Sequence, residues 1–347
     1  MKRHLLFLAA LLIVNLAASA QKKFSVYAVG FYNQENLFDT CHDEGKKDYE
    51  YLPNKGWNGM KYTNKLRNMS KALADMGTDV LPNVGCAFIG LSEVENHKVL
   101  DALVDQAPLK ERNMKYVHIE GPDRRGIDCA LLYNPSLFSV KNVKLLPYVQ
   151  ELAKDSAFFT RGFLTVRGEM AGDDVAVIVC HWPSRFSGPF YRESAARQVK
   201  VIKDSLLNVN QEMKIFVMGD MNDDPVNKSM HVYLQAKPEI SQVGAGDMYN
   251  PWYNVLAKEG KGTLFYSGNW NLFDQIVITP NLLNKDAKKK DYSSLKYWKS
   301  HIFRRDYLIQ QEGQYKGAPL RTTAGGRWLN GYSDHLPVVM YLVKEKR

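Results

Sequence analysis

Cysteine is scarce in this chain, which has four cysteines among its 347 residues. A disulfide framework is not needed at this length, because such a chain can bury a sufficient apolar core without one. Cys86, Cys129 and Cys180 lie in or beside strand-like apolar runs, where cysteine usually behaves as a small buried hydrophobic residue. We therefore predict free thiols, most of them buried.

Long apolar runs are absent after the N terminus, so no later segment is predicted to cross a membrane. At the N terminus, Lys2 and Arg3 precede an apolar run at 5–16, and small residues follow at 17–20. This order is typical of a signal peptide, and the run is too short to span a bilayer comfortably. No cysteine stands directly after the predicted cleavage site, which argues against a lipid anchor. We predict that residues 1–20 are a signal peptide and that the mature protein is periplasmic or secreted.

Glycine- and serine-rich linkers, internal repeats and low-complexity segments are absent as well. Short runs rich in β-branched and aromatic residues predict strands along the whole chain. The predicted strands are Phe24–Tyr32, Ala87–Leu91, Ala130–Tyr133, Phe163–Val166, Val175–Cys180, Ile215–Met218, Gln275–Thr279 and Leu336–Val343. Apolar residues spaced three and four apart predict helices through Leu66–Met76 and Ala195–Leu206. Helices punctuate the strands, so we predict that residues 21–347 form a single layered α/β domain.

Positive charge is concentrated in one part of the chain, whose formal net charge is +9. Lys285 to Arg305 contains eight Lys or Arg residues against two Asp, inside a polar stretch at 281–331 that we predict to be a basic insertion. Aromatic residues interleaved with these cations would suit a phosphate-rich strand, through stacking and counterion release. A solvated loop with a few packed aromatic residues explains the same composition. The sequence leaves both interpretations open.

Polar side chains stand at the ends of most predicted strands. Six of them follow a strand, namely Asn33, Glu35, Glu93, His181, Asp220 and Asn222. Four precede a strand, namely Asp128, Asp274, Asp334 and His335. If neighbouring strands are antiparallel, residues that leave one strand and enter the next meet on one rim of the sheets. A rim so rich in carboxylates would repel itself unless a cation neutralised it.

The types of side chain on this rim point to a hard cation. Only two histidines stand at strand ends, and neither has a close His or Cys partner, so a zinc site is not indicated. Carboxylate and amide oxygens suit Mg²⁺, with Mn²⁺ or Ca²⁺ as alternatives. Because Mg²⁺ usually binds through one or two carboxylates and a substrate phosphate, this donor set suggests phosphoester hydrolysis.

Seven short motifs occur in an order that resembles the endonuclease/exonuclease/phosphatase superfamily, the deoxyribonuclease-I-like metal-dependent phosphoesterases. The motifs are Tyr32-Asn-Gln-Glu-Asn-Leu-Phe38, Ser92-Glu93, Gly126-Ile-Asp-Cys-Ala130, His181-Trp-Pro-Ser-Arg185, Gly219-Asp-Met-Asn-Asp223, Phe273-Asp-Gln275 and Ser333-Asp-His-Leu-Pro337. Each is weak alone, but the resemblance extends from about Phe24 to Val343. It implies a four-layer α/β sandwich, in which two central, mostly antiparallel β-sheets are flanked by helices. It also implies an exported, bacterial-type member with Mg²⁺ as cofactor.

The resemblance implies a role for each of these residues. Glu93 resembles the main metal ligand, with Asn33 and Glu35 beside it and Asp334 as a further candidate. Asn33 also matches a position that binds substrate.

On the same basis, Asp220 resembles the group that orients or deprotonates the attacking water, and Asn222 the side chain that holds it. His335 resembles the histidine that contacts the phosphoryl oxygens, steadied by Asp274. His181 resembles a second histidine close to the scissile phosphate. The resemblance makes Asp128 and Arg185 candidates for substrate binding only.

The substrate is open at this stage. We predict metal-dependent hydrolysis of a phosphoester, with a phosphodiester such as nucleic acid as the first candidate. A sphingomyelinase-like activity and a small-phosphoester phosphatase are the enzymatic alternatives. A non-catalytic anion-binding protein on the same fold is the alternative from another class. We expect a monomer with no integral membrane segment after the signal peptide is removed.

Overall fold

The computed structural model describes residues 23–149, 151, 158–286 and 288–346. The predicted signal peptide at 1–20 lies outside the described residues. Within the described ranges, no helix combines the length and the apolar character needed to cross a membrane. All four cysteines fall inside these ranges and are free, which confirms the prediction; Cys41 is exposed and the other three are buried.

The first of two large sheets has six strands. In spatial order they are β14 (Lys296–Ile302), β17 (Val338–Glu345), β1 (Phe24–Leu37), β2 (Phe88–Val94), β4 (Asp128–Tyr133) and β3 (Lys115–His118). β1 and β2 are parallel, and the other neighbouring pairs are antiparallel. The carboxyl ends of β1 and β2 therefore share one edge of the sheet with the amino ends of β17 and β4.

The second large sheet has seven strands and a similar centre. In spatial order they are β5 (Phe138–Leu146), β6 (Phe163–Met170), β7 (Asp173–His181), β8 (Lys214–Asp220), β13 (Asp274–Ile278), β10 (Met248–Tyr249) and β9 (Ala236–Lys237). β7 and β8 are parallel, and β13 runs antiparallel to β8. The carboxyl ends of β7 and β8 thus share an edge with the amino end of β13.

Two short ribbons lie outside both sheets. One pairs β11 (Leu264–Tyr266) with β12 (Asn269–Asn271), and the other pairs β15 (Thr323–Ala324) with β16 (Arg327–Trp328). Residues 267–268 and 325–326, which join the paired strands, all have positive φ. Two-residue hairpin turns of the primed type require this backbone, because its twist matches that of the strands.

Helices cover the outer faces of the two sheets. They are α1 (Gly59–Asp75), α2 (His97–Val104), α3 (Ala107–Lys110) and α4 (Pro189–Val209). A fifth helix, α5 (Trp252–Ala257), instead packs its apolar side chains with the cluster between the sheets. Apolar side chains of α1 and α2 pack in one cluster with the outer face of the first sheet, and those of α4 pack with the outer face of the second. A third cluster fills the space between the sheets. This arrangement confirms the predicted four-layer sandwich and both predicted helices.

The central strands are apolar on both faces because both faces are covered. In β7, Val177 and Val179 face the other sheet, whereas Ala176 and Ile178 pack against the α4 layer. The alternation follows from the two-residue period of a strand. A strand buried on both faces is a near-continuous apolar run, which is why the sequence predicted β7 correctly.

Among the described residues, nine strands were not predicted, and the longest of them are β3, β5 and β14. β14 lies within the basic stretch, which the sequence analysis interpreted as an insertion without strands. It is an edge strand, and charged residues are favoured on edges because they discourage pairing with another chain.

The structure places Lys288–Lys290 near the end of the sandwich opposite to Asp220. The neighbouring Lys285 donates to the Val243 carbonyl, and Lys214, the first residue of β8, donates to the Asn281 carbonyl. β8 has seven residues, so its two ends are roughly 20 Å apart.

Candidate active site

One rim of the sandwich gathers most of the polar residues predicted from strand ends. It is the edge where the two parallel strand pairs end and their antiparallel neighbours begin. Seven side chains are connected there by hydrogen bonds or approach within 4 Å, namely those of Asn33, Glu93, His181, Asp220, Asp274, Asp334 and His335. Asn222 joins them through its main-chain amide, and its side chain donates to the Trp182 carbonyl. The parallel pairs, which the sequence did not predict, bring the strand ends together as effectively as antiparallel ones.

Glu93 is presented to this rim by a β-bulge. Residues 92 and 94 pair with β4, whereas Glu93 between them does not, and its φ is 60°. Bulges next to active sites redirect a side chain, and a left-handed backbone is uncommon for glutamate. Its Oε2 accepts a hydrogen bond from the Asn36 amide at 2.9 Å, and its Oε1 lies 3.9 Å from Nε2 of His181. The bulge therefore aims the carboxylate into the rim.

Asp220 lies at the centre of the rim and is buried. Nδ2 of Asn33 donates to Oδ2 of Asp220 at 3.0 Å, and the Asn222 amide donates to Oδ1 at 2.9 Å. The Glu35 amide donates to Oδ1 of Asn33 at 2.8 Å, which orients the Asn33 side chain with its donor towards Asp220. Both carboxylate oxygens are thus held in place by donors that favour the ionised form.

The charge state of Asp220 is balanced near neutrality. Burial raises its pKa to about 7, opposed by the positive charge of His335 and supported by repulsion from Asp274 and Glu93. The amide of Asn222 also lowers it. A carboxylate with such a pKa can exchange a proton at ordinary pH, which is what general acid–base catalysis requires.

Asp274 and His335 form a direct pair. Nδ1 of His335 lies 2.7 Å from Oδ2 of Asp274, and its Nε2 lies 3.8 Å from Oδ2 of Asp220 and 3.9 Å from Oδ1 of Asp334. Burial alone would lower the pKa of His335, but the three carboxylates together raise it well above its ordinary value. The ring is therefore an imidazolium whose Nε2–H faces the centre of the rim.

His181 has the opposite charge state. Its Nε2 lies 3.7 Å from Oδ2 of Asp220 and 3.9 Å from Oε1 of Glu93. Burial lowers its pKa well below the ordinary value, and the positive charges of Arg161, Arg125 and His335 lower it further. The rim thus contains one neutral and one charged histidine on either side of Asp220.

Asp334 and Glu35 are linked through Arg321. Its Nη2 donates to Oδ2 of Asp334 at 3.1 Å, and its Nε donates to Oε1 of Glu35 at 3.1 Å. The amide of Thr322 donates to Oε2 of Glu35 at 2.6 Å, so both oxygens of this carboxylate are engaged. Glu35 was predicted as a metal ligand beside Glu93, but the structure places its carboxylate in this ion pair.

A buried lysine supports the same segment. Lys65 of α1 is fully buried, and its Nζ donates to Oγ1 of Thr322 and to the carbonyl oxygen of Tyr332. Burial lowers the pKa of Lys65 to about 8, opposed by the negative charges of Glu35, Asp334 and Glu93. Lys65 therefore ties helix α1 to the chain that carries Arg321 and Asp334.

Two predicted substrate-binding residues are engaged by their neighbours. The carboxylate of Asp128 lies 3.0 Å from Nε2 of His118 and accepts a hydrogen bond from the Gly121 amide at 3.0 Å.

The second of them, Arg185, donates to the Asp224 carboxylate at 2.8 Å, and further hydrogen bonds hold its guanidinium to Asn222, Asn271 and Asn227. It braces the turn after Asp220. Both side chains therefore bond to neighbouring residues of the protein, and neither belongs to the cluster of side chains around Asp220.

Four cations of the rim were missed by the sequence analysis. They are Lys65, Arg125, Arg161 and Arg321. Nη1 of Arg161 lies 3.0 Å from the Asp123 carboxylate and its Nη2 donates to the Trp182 carbonyl at 3.0 Å, while Nη2 of Arg125 lies 3.9 Å from Oε2 of Glu93. They come from loops or from a helix face and belong to no motif, so no sequence pattern indicated them.

The donor set of the rim fits a hard divalent cation. Glu93 and Asp334 each have one carboxylate oxygen on a donor and the other 3.9 Å from a histidine. Burial, together with repulsion from Asp274 and Glu93, raises the pKa of Asp220, and a nearby cation would offset that repulsion. Among the described residues, no three His, Cys, Asp or Glu side chains form a closed metal cage. Mg²⁺ does not need one, because it typically takes one or two carboxylates and keeps several waters.

Comparison with known families finds one match over nearly the whole chain. A family described as the Endonuclease/Exonuclease/phosphatase family matches residues 28–344. No curated protein matches the chain.

Solved structures share the fold at low sequence identity. A Bacteroides thetaiotaomicron protein of the endonuclease/exonuclease/phosphatase family is 13% identical, with a TM-score of 0.55 over 93% of this chain and 97% of that one. Mannosyl-6-phosphatase of Bacteroides thetaiotaomicron is 14% identical, with a TM-score of 0.54 over 91% and 99%. TDP2 of D. rerio, solved with a single-stranded DNA product, is 11% identical, with a TM-score of 0.53 over 92% and 99%.

Proposed function

This chain belongs to the endonuclease/exonuclease/phosphatase family, and we propose that it hydrolyses phosphoesters with the help of a divalent cation. The family and its structural neighbours support phosphoester hydrolysis at this coarse level. The observation that carries the proposal is the central position of Asp220. It is a buried carboxylate with a pKa of about 7, and two histidines in opposite charge states lie within 4 Å.

Each side chain around Asp220 has a role in the proposed reaction. The oxygen of a water forms a new bond to phosphorus while the bond from phosphorus to the leaving oxygen breaks. Asp220, held by Asn33 and Asn222, orients this water and accepts its proton, and the leaving oxygen takes up a proton from solvent. The imidazolium of His335 and the neutral ring of His181 donate to phosphoryl oxygens as negative charge develops.

A divalent cation would be held by Glu93 and Asp334. Enzymes of this family generally depend on divalent metals. When bound, the cation supplies positive charge that polarises the phosphoryl group. Asn33 stays on Asp220 in this arrangement, since its amide donor is already committed to that carboxylate.

Chelation is expected to abolish hydrolysis, and Mg²⁺ or Mn²⁺ is expected to restore it, because the proposed reaction needs the positive charge that the cation supplies to the phosphoryl group. The measurement is release of nitrophenol from p-nitrophenyl phosphate and from bis(p-nitrophenyl) phosphate. Undiminished turnover after exhaustive chelation would contradict the proposal.

Glu93→Gln should bind the metal more weakly, on the order of tenfold or more, since a charged ligand becomes neutral. Calorimetric titration with Mn²⁺ measures this directly. Glu212→Gln is the matched control, because its side chain is 86% exposed at the opposite end of β8.

The position of Lys288–Lys290 bears on which class of substrate the protein hydrolyses. Nucleic acid was the first candidate from sequence, partly because Lys288–Lys290 could follow a phosphate backbone. These lysines lie at the end of the sandwich opposite to Asp220, so a substrate would have to reach across roughly 20 Å to meet both. A small phosphoester is therefore favoured, with nucleic acid as the second candidate.

Replacing Lys288, Lys289 and Lys290 with alanine is expected to leave hydrolysis of small phosphoesters unchanged. Binding of a long oligonucleotide should weaken and lose part of its salt dependence, whereas binding of a dinucleotide should not. Fluorescence anisotropy over a range of salt concentrations separates these cases. An equal loss for the dinucleotide would mean that Lys288–Lys290 reach a substrate bound at the rim.

Export is part of the same proposal, because residues 1–20 have the charge and apolar pattern of a signal peptide. Expression of the full chain in a bacterial host should yield a periplasmic or secreted protein whose first residue is Gln21. N-terminal sequencing checks this, and an intact Met1 on active protein in the cytoplasm would contradict it.

A further inference from the structure

A cavity of about 880 Å³ opens directly beside the rim. Residues of the β11–β12 ribbon, of the loop at 310–319 and of the β15–β16 ribbon line it. Arg321 and Asp334 line it as well. Since Oδ1 of Asp334 lies 3.9 Å from Nε2 of His335, the cavity is continuous with the site around Asp220. A group that enters it can remain attached to a phosphate at the rim.

Both ribbons are tied to the chain that carries the rim residues. Leu264 of the first ribbon forms an isolated bridge with His335, and the Leu336 amide donates to the Thr263 carbonyl at 2.8 Å. Beside the second ribbon, the Thr322 amide donates to Glu35 at 2.6 Å. The cavity walls are therefore fixed in position relative to the candidate catalytic side chains.

The charge of the cavity excludes a polyanion. Among the described residues that line it, Arg321 and Asp334 are the only ones of the types Lys, Arg, His, Asp and Glu. Their side chains lie 3.1 Å apart as an ion pair. Their charges cancel. A groove for a nucleic-acid strand or a polyphosphate needs several uncompensated cations, and this cavity has none among its described lining residues.

The remaining side chains suit a hydroxylated ring. Tyr266 and Tyr315 are exposed aromatic residues on its walls, with 69% and 52% of their surface accessible. Ser267, Gln310 and Gln314 add hydroxyl and amide groups that both donate and accept hydrogen bonds. Sugar hydroxyls also donate and accept, and the C–H faces of a sugar ring pack on aromatic rings. A nucleobase would stack as well, but it presents a fixed edge of donors and acceptors.

We propose that this cavity binds the sugar of a sugar phosphate, whose phosphate is held at the rim. The inference rests on the proposed phosphoester hydrolysis and names the group that leaves in it. The P–O bond to the sugar breaks, a water oxygen replaces it on phosphorus, and the sugar leaves as an alcohol through the open side of the cavity.

The test compares kcat/KM for four probes in the presence of Mg²⁺. They are D-glucose 6-phosphate, D-mannose 6-phosphate, adenosine 5′-phosphate and phenyl phosphate. The parent protein should prefer at least one hexose phosphate to phenyl phosphate. Tyr315→Ala and Gln314→Ala should lower that preference on the order of tenfold, mainly through KM, because each removes a contact worth about one hydrogen bond or ring contact.

Controls separate specificity from folding. Tyr315→Phe keeps the ring and should keep most of the preference. Gln211→Ala and Trp298→Ala change exposed residues outside the cavity and should leave the preference unchanged. Thermal melting establishes that each variant is folded.

Unchanged preference in both Tyr315→Ala and Gln314→Ala would overturn the proposal. A preference for adenosine 5′-phosphate that these variants abolish would also overturn it, in favour of a nucleoside. If none of these four monoesters is hydrolysed but bis(p-nitrophenyl) phosphate is, the sugar-phosphate proposal fails and the proposed function stands. If bis(p-nitrophenyl) phosphate is not hydrolysed either, the proposed function fails, and calorimetric titration with the two hexose phosphates tests the cavity alone. Binding of a hexose phosphate that Tyr315→Ala weakens would support the cavity as the sugar site, and absence of binding would reject it.

Discussion

His335→Ala is expected to lower kcat for phosphoester hydrolysis by about 10²- to 10⁴-fold, the range for positioned acid–base groups. The ring is an imidazolium because Asp274, Asp220 and Asp334 raise its pKa in spite of burial. Its Nε2–H faces the centre of the rim, where a phosphoryl oxygen would gain negative charge. Steady-state kinetics with p-nitrophenyl phosphate measures the loss.

Asp274→Ala should also lower kcat, because Asp274 acts through the ring of His335. Oδ2 of Asp274 lies 2.7 Å from Nδ1 of His335, so the carboxylate both orients the ring and keeps it charged. Groups that act as one unit are strongly non-additive. The double variant should therefore be little slower than His335→Ala alone.

A matched pair elsewhere provides the control. Nε2 of His301 lies 2.9 Å from the Asp79 carboxylate, which is similar chemistry on the edge strand β14. His301→Ala should leave kcat unchanged. If the double variant of Asp274 and His335 instead fell by the product of the two single losses, with every protein folded, the pairing would be wrong and Asp274 would act separately.

Lys65→Met is expected to lower the free energy of unfolding by roughly 2–5 kcal/mol, the cost of leaving buried polar partners without their cation. Methionine nearly preserves the volume, so the loss reports the ammonium group. Without it, the Thr322 hydroxyl and the Tyr332 carbonyl lose a buried donor, and the carboxylate of Glu35 loses a nearby positive charge. Urea denaturation monitored by circular dichroism measures the change.

The stability that Lys65→Met loses should depend on pH, and the direction of that dependence follows from the pKa of Lys65. Burial lowers the pKa of Lys65 to about 8 from 10.5, against the charges of Glu35, Asp334 and Glu93 and together with that of Arg321. Between pH 8 and 10.5 the unfolded chain therefore holds more protons at this site than the folded chain. This term makes the folded protein more stable as pH rises through that window. The stability difference between parent and Lys65→Met should accordingly grow from pH 8 to 10.5, and a flat difference would contradict the pKa assignment.

A second buried lysine, Lys203, provides a control that separates support of the rim from a contribution to overall stability. Lys203 is also fully buried, and its Nζ donates to the Gly246 carbonyl at 2.6 Å, away from the rim. Lys203→Met should be destabilised but should retain kcat and KM when folded. Lys65→Met, measured well below its melting temperature, should be slower as well, because it releases the segment that positions Asp334. Equal activity of the two variants would reduce Lys65 to a purely structural role.

Strands that are buried on both faces were predicted correctly, because burial imposes a simple pattern on their sequences. β7 and β8 are covered on both faces, so their apolar runs identified them, and the polar residues at their ends were conspicuous by contrast. β5 was missed because it interleaves lysines with its valines, and β14 because an edge strand tolerates charge on both faces. The parallel pairing of β1 with β2 was also missed, since it depends on contacts far apart in the chain.

For the candidate site, residues in motifs were found and their supporting cations were not. The structure brings Asp220, Asp274 and His335 together as the sequence predicted, and their catalytic roles stay predictions. The family resemblance assigned Glu35 to the metal, but the sequence contains no sign that Arg321, almost three hundred residues later, binds its carboxylate. Asp128 stands correctly at the start of β4, yet its partner His118 comes from the neighbouring strand. Such partners follow from tertiary packing, which no local spacing encodes.

At two glutamates of the rim, the left-handed backbone that positions the side chain lowers the stability of the protein. Glu35 and Glu93 have φ of 44° and 60°, a conformation that glycine adopts without strain and glutamate does not. Selection for heat resistance alone would favour glycine at such positions, and with it the loss of Glu93 as a donor. A more thermostable form of this protein should therefore gain its stability elsewhere, in the helices and surface loops, and leave the bulge of β2 as it is.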